Sequence, residues 1–144
     1  MRSWLVLVCA VASIAAPGRV CAGEAFAGPV SARVVRVVDG DTLKVAAAIW
    51  IEQEVTVSVR LAGVDAPELF RPKCDAERRL ARAAKDRLRD LAGADVVLYE
   101  VRSGKYGGRV VARVETADGV DVAAALVRTR HAVEGARGAW CADG

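Results

Sequence analysis

The chain has 144 residues, with 21 Lys and Arg against 18 Asp and Glu, one His and four Cys. That length holds one domain, and no internal repeat or low-complexity linker supports a tandem arrangement. No C-x-x-C occurs and His131 is the only histidine, which argues against a tetrahedral Cys/His metal site, and a net charge of +3 is too small for a whole-protein field to capture a polyanion.

Arg2 precedes an apolar run from Trp4 to Ala16, too short to span a bilayer and of the length of a signal h-region. Cleavage is expected after Ala22, with Ala27 as the alternative site and an uncleaved anchor as the rival interpretation. Residues 1–22 are thus assigned to a signal peptide and residues 28–144 to the folded domain, and removal of the leader lowers the formal charge from +3 to +1. Cys9 and Cys21 leave with it. Cys74 and Cys141 remain, an even pair in an exported chain, and a disulfide between them is expected, with two separate thiols as the alternative.

A β-branched strand over Ala32–Val38 runs into the turn pair Asp39-Gly40. Leu43–Ala48 returns as a second strand, Ile49–Gln53 extends the connection, and Glu54–Gly63 forms a third strand with Val55, Val57, Val59 and Leu61 on one face. Cys74–Ala92 has helical spacing with Leu80, Ala84, Leu88 and Leu91 as the packed stripe; Glu77 falls on the solvated face, placed to pair with Arg78 or Arg82. Gly93 ends the helix, Val96–Val101 and Val110–Glu115 flank a loop at Lys105, and Asp121 caps a short helix through Val127. Pattern alone predicts a small α+β domain, mainly β, with a closed or nearly closed sheet.

Two stretches carry the chemistry. Val38-Asp39-Gly40-Asp41-Thr42 and Arg60-Leu61-Ala62-Gly63-Val64-Asp65-Ala66-Pro67-Glu68 can bring three carboxylates and an arginine to one phosphate ester. Asp41, Asp65 and Glu68 supply hard oxygen atoms of the kind that hold Ca²⁺ or Mg²⁺, and the planar fork of Arg60 suits phosphate oxygens. Lys105-Tyr106-Gly107-Gly108-Arg109 adds phosphate-seeking groups downstream.

This ordered set, from about Ala32 to about Val127, resembles the staphylococcal (micrococcal) nuclease family, the thermonucleases. The resemblance implies a five-stranded, OB-fold-like Greek-key barrel with two helices. It also implies Ca²⁺ held by Asp41, Asp65 and the backbone carbonyl of Ala66; Glu68 as the group handling the attacking water; Arg60 and Arg109 stabilising charge on the phosphoryl oxygens; and Lys105 and Tyr106 contacting a substrate phosphate. The implied activity is hydrolysis of DNA and RNA, preferably single-stranded, leaving 3′-phosphates. The partners are nucleic acids, with no stable membrane association after leader removal; the chain is expected to be a monomer in the periplasm or the medium.

Three departures from the prototype bear on this. Gly107-Gly108 places one extra residue before Arg109, no tyrosine pair follows Ala125-Leu126-Val127, and the prototype's long carboxy-terminal helix has no counterpart before Gly144. The inserted glycine and the missing tyrosines favour a rival interpretation, a catalytically weak OB-type module that binds single strands or another polyanion. The interval between Asp41 and Arg60 is longer than in the prototype, for which a longer hairpin tip is the expected account.

Overall fold

The computed structural model describes residues 25–135 and 138–141; the expected leader over residues 1–22 lies outside them. Five strands close into a barrel in the order β1 (Val30–Asp39), β2 (Thr42–Trp50), β3 (Gln53–Leu61), β6 (Arg109–Thr116) and β5 (Asp95–Ser103), with β5 returning to β1. All neighbours are antiparallel except β3 and β6, which run parallel with Arg60 opposite Val111. The β-branched and alternating sequences expected as strands therefore form the barrel staves. β3 stops at Leu61, two residues short of the expected Gly63, because Ala62 and Gly63 form a turn. It starts one residue early, and β1, β2, β5 and β6 each run one or two residues beyond their expected ends, because ladder pairing continues past the apolar alternation. The Ile49–Gln53 connection is one such case: β2 and β3 pair as far as Trp50 and Gln53, so the added length extends the strands and only Ile51 and Glu52 turn.

Leu43, Val45, Val59, Leu61, Leu98 and Val114 fill the barrel and are essentially inaccessible to solvent. A leucine so buried contributes roughly 1.5–3 kcal/mol. Two short strands outside the barrel, β4 (Val64–Asp65) and β7 (Val133–Glu134), pair antiparallel. This small sheet, which the sequence does not announce, fixes Asp65 against the carboxy-terminal segment.

Helix α1 (Asp75–Ala92) is capped by Cys74 and packs on β1 and on α2 (Val122–Arg128). Its buried stripe is Glu77, Ala81, Ala84, Leu88 and Ala92, whereas Leu80 is exposed. The packed face is thus rotated from the expected one. Small alanines let the helix approach the barrel closely, and the larger Leu80 stays outside. The surface ion pairs of α1 join Arg78 to Asp75 and Arg89 to Asp86, leaving Glu77 for another task. Asp121 caps α2 as expected, accepting a hydrogen bond from the Ala124 amide at 2.9 Å.

Cys74 and Cys141 are joined in a disulfide with Cα atoms 6.1 Å apart, across 67 residues of sequence. It fastens the carboxy-terminal segment to the first turn of α1. A closed loop of that size restricts the unfolded chain, an effect worth about 4 kcal/mol in the chain-entropy account. Reduction of the folded protein is therefore expected to lower the urea midpoint substantially. An unchanged midpoint in dithiothreitol would deny the bridge a stabilising role.

Candidate active site

The turn between β1 and β2 places Asp41 at one end of the barrel. The Asp39 Oδ1 accepts the Asp41 amide at 3.2 Å, and the Asp41 carbonyl accepts the Leu61 amide at 2.9 Å, which ties the turn to the end of β3. Gly40 sits where a Cβ would come within 2.7 Å of the Ala84 methyl and 2.8 Å of the Ala66 methyl. Only glycine lets the turn slip between α1 and the segment after β4.

Asp65 ends β4, and Arg60 lies near the end of β3, paired across the ladder with Thr42. The Arg60 guanidinium bridges both acids: one terminal nitrogen is 2.6 Å from Asp41 Oδ2 and the other 3.1 Å from Asp65 Oδ1. Thr42 donates its hydroxyl to Asp41 Oδ1 at 2.9 Å, and the Ala66 amide approaches Asp41 Oδ2 at 3.4 Å. Burial pushes the Asp41 carboxyl up to about 7, with the nearby Asp39 charge adding to the effect and Arg60 opposing it.

These groups line a polar cleft of about 630 Å³ that also takes in Glu68, Arg71, Lys73 and Tyr106. Of the residues expected at the site, Asp41, Arg60, Asp65, Ala66, Glu68 and Tyr106 are brought together. Lys105 and Arg109 are not in the lining. Each has its cationic end 5.9 Å from the Tyr106 ring centre, so both flank the one loop residue that enters the cleft. The extra glycine is absorbed in a tight turn: the Arg109 amide donates to the Tyr106 carbonyl at 3.2 Å, with Gly108 at φ +73°.

Glu77 has a role that the apolar periodicity of the helix does not suggest. It is buried, and its two carboxylate oxygens accept the Glu68 amide at 3.2 Å and the Lys73 amide at 2.6 Å. It thereby braces the loop that carries Glu68, whose Oε1 in turn accepts the Phe70 amide at 3.0 Å. The available signal was positional. Glu77 stands three residues after the capping Cys74, the spacing of a capping box, in which such a glutamate reaches back toward the chain before the helix.

The carboxy-terminal segment also joins the site. The Gly138 amide donates to Asp65 Oδ2 at 3.0 Å, and Trp140 lines the cleft next to the disulfide at Cys141. Sequence alone offered no signal for either contact, since both depend on where the disulfide and β7 deliver the chain.

The donor set suits a hard cation. Asp41 and Asp65 present carboxylate oxygens toward a common guanidinium, and the pair carries one more negative charge than Arg60 neutralises. A buried carboxyl with a raised affinity for a proton gains from a divalent ion in its place. Among the described residues no three Asp, Glu, His or Cys side chains gather into a cage, so a Ca²⁺ ion held by Asp41 and Asp65 would complete its shell with the Ala66 carbonyl, water and substrate oxygen.

Comparison with known proteins bears on the family of the chain. The family model described as "Staphylococcal nuclease homologue" matches residues 58–137. Two curated relatives, each named "Uncharacterized endonuclease", from Escherichia coli and from Escherichia coli O157:H7, are 33% identical over 97 residues. The aligned region is 67% of this chain and 55% of each relative, so the chain spans about half the length of the curated proteins it matches.

The raised affinity of Asp41 for its proton sets a pH dependence in the metal-free protein. Its folded value of about 7 lies above the ordinary 3.8, so the stability it confers is complete below about 4 and is lost as pH rises through about 7. Asp41→Asn removes the buried charge. In chelator the variant is expected to gain on wild type by roughly 2–3 kcal/mol between pH 5 and pH 8. Denaturant titrations at the two pH values check this; a difference independent of pH would refute it.

Proposed function

This chain belongs to the staphylococcal nuclease homologue family, and on that premise we propose that it is a Ca²⁺-dependent nuclease hydrolysing phosphodiester bonds of DNA and RNA with little sequence preference. The observation that carries the proposal is the polar cleft in which Arg60 bridges Asp41 and Asp65 beside Glu68. The leader pattern and the Cys74–Cys141 bridge support export to the periplasm or the medium, with the chain acting there as a monomer.

In the proposed mechanism a single-stranded substrate lays one phosphate across Arg60, whose fork suits two of its oxygens. The Glu68 carboxylate takes or orients the proton of a water attacking in line, and Glu77 holds the loop that presents it. Arg60 and Arg109 stabilise the charge that builds on the phosphoryl oxygens, which is the dominant requirement in phosphoryl transfer. Tyr106, with Lys105 beside it, contacts a neighbouring phosphate. When bound at Asp41 and Asp65, Ca²⁺ supplies Lewis-acid stabilisation. The 5′ oxygen leaves and the product carries a 3′-phosphate.

A second interpretation, a binding module with weak catalysis, draws on one feature: Arg60 is engaged by two carboxylates while Lys105 and Arg109 stand outside the cleft lining. The two differ in one assay. Purified protein is expected to degrade denatured DNA and RNA at millimolar Ca²⁺ and to stop in chelator; a well-folded sample that binds strands without cutting them would establish the module instead.

Arg60→Lys and Glu68→Gln are each expected to reduce kcat at least about a hundredfold with the melting temperature preserved, the scale of loss for a transition-state donor. Arg109→Lys is the sharper case, since that arginine lies outside the cleft lining, with its guanidinium 5.9 Å from the Tyr106 ring centre. A comparable loss is expected, and a wild-type rate would remove Arg109 from the reaction.

A further inference from the structure

Trp140 occupies a position that the reaction above does not use. Its indole lines the cleft that holds Asp41, Arg60, Asp65 and Glu68, and it is partly buried. Two attachments fix it there. On one side the ring lies against Gly138, so closely that a Cβ at that residue would collide with the ring atoms Cε2, Cζ2 and Nε1. Gly138 is itself anchored, its amide donating to Asp65 Oδ2 at 3.0 Å. On the other side the adjacent Cys141 is locked to Cys74 at the start of α1. An aromatic surface is thereby held next to the carboxylate proposed to hold the cation, at low entropic cost, because its backbone is restrained on both sides.

We propose that Trp140 is a nucleobase-stacking platform of this cleft, receiving the base of a nucleotide next to the phosphate held at Arg60. The proposal rests on the nuclease interpretation above. The cleft provides cations for the backbone in Arg60, Arg71 and Lys73, and flat rings for bases in Tyr106 and Trp140. That pairing of a positive track with aromatic faces is how single strands are bound without sequence preference. Indole offers the largest stacking face of the natural side chains, and every base has a complementary face, so the platform takes DNA and RNA alike. The disulfide gains a second purpose, since it positions the residue that meets the substrate.

The test uses the oxidised protein with Ca²⁺, a ten-residue oligothymidylate as substrate, and an abasic strand of the same length as competitor. Trp140→Ala is expected to raise KM roughly tenfold, the scale of one lost stacking contact, with kcat within about twofold. The inhibition constant of the abasic strand is expected to stay the same, because that strand has nothing to stack. Trp140→Phe retains most of the affinity, whereas Trp140→Leu, apolar but without a π face, behaves like alanine even if alanine disturbs folding. Gly138→Ala, which displaces the ring while keeping the tryptophan, also raises KM. In a Trp4→Phe/Trp50→Phe protein, where Trp140 is the sole remaining tryptophan, indole emission falls on addition of oligothymidylate and not of the abasic strand.

An unaltered KM in Trp140→Leu, or equal weakening of the thymidylate and abasic strands, overturns the platform while leaving the nuclease interpretation standing. A fall in kcat at constant KM, or emission that responds equally to both strands, overturns it as well. Absence of cleavage and of binding in the unmodified protein would overturn the nuclease interpretation first and the platform with it.

Discussion

The bridge from Arg60 to Asp41 and Asp65 is the interaction on which the cleft is organised. It joins side chains from three parts of the chain that backbone pairing already brings side by side: the turn after β1, the end of β3 and the end of β4. A carboxylate as buried as Asp41 is costly to keep charged, and one guanidinium shared with Asp65 offsets that cost only in part. The remainder is a local excess of negative charge in a polar cavity.

The surrounding structure is arranged to keep this imbalance in place. Gly40 lets the Asp41 turn approach Ala84 and Ala66, and the small residues on the buried face of α1 let that helix come close enough to form the wall. Glu77 spends its whole carboxylate on two backbone amides. Hydrogen bonds to a charged acceptor contribute about 1.5–3 kcal/mol each, enough to fix a proline-containing loop that has no ladder of its own. The rigid barrel end thus supplies Asp41 and Arg60, while a braced loop supplies Glu68. This division suits a reaction in which phosphate must be held precisely and water must still enter.

Much of this arrangement was legible in the sequence, for identifiable reasons. Strand alternation in Val55, Val57, Val59 and Leu61 reflects a two-residue period that tertiary contacts do not override, and Asp-Gly at 39–40 marks a turn whatever surrounds it. Asp41, Arg60, Asp65 and Glu68 were recoverable because they lie within a few residues of turns and strand ends whose geometry is local. The misassignments all concern residues whose environment is set from a distance. Leu80 looked like a core residue on hydrophobicity, yet alanine packing against the barrel turned the helix so that Glu77 faces inward. Helical periodicity cannot distinguish an acid facing water from one facing unpaired amides.

The carboxy-terminal segment shows the same limit most clearly. Between Arg128 and Gly144 the sequence has neither a strong period nor a motif, and its content arises from two distant partners, Val64 and Asp65 through β7 and Cys74 through the disulfide. Those partners bring Gly138 and Trp140 to one side of the cleft. Among the described residues this segment is held by the disulfide, the β4–β7 pair, the Gly135 amide on the Gly63 carbonyl at 2.9 Å and the Gly138 amide on Asp65. The same few links that secure the tail therefore also touch a proposed cation ligand, so the integrity of the disulfide and the shape of the cleft are not separable properties of this fold.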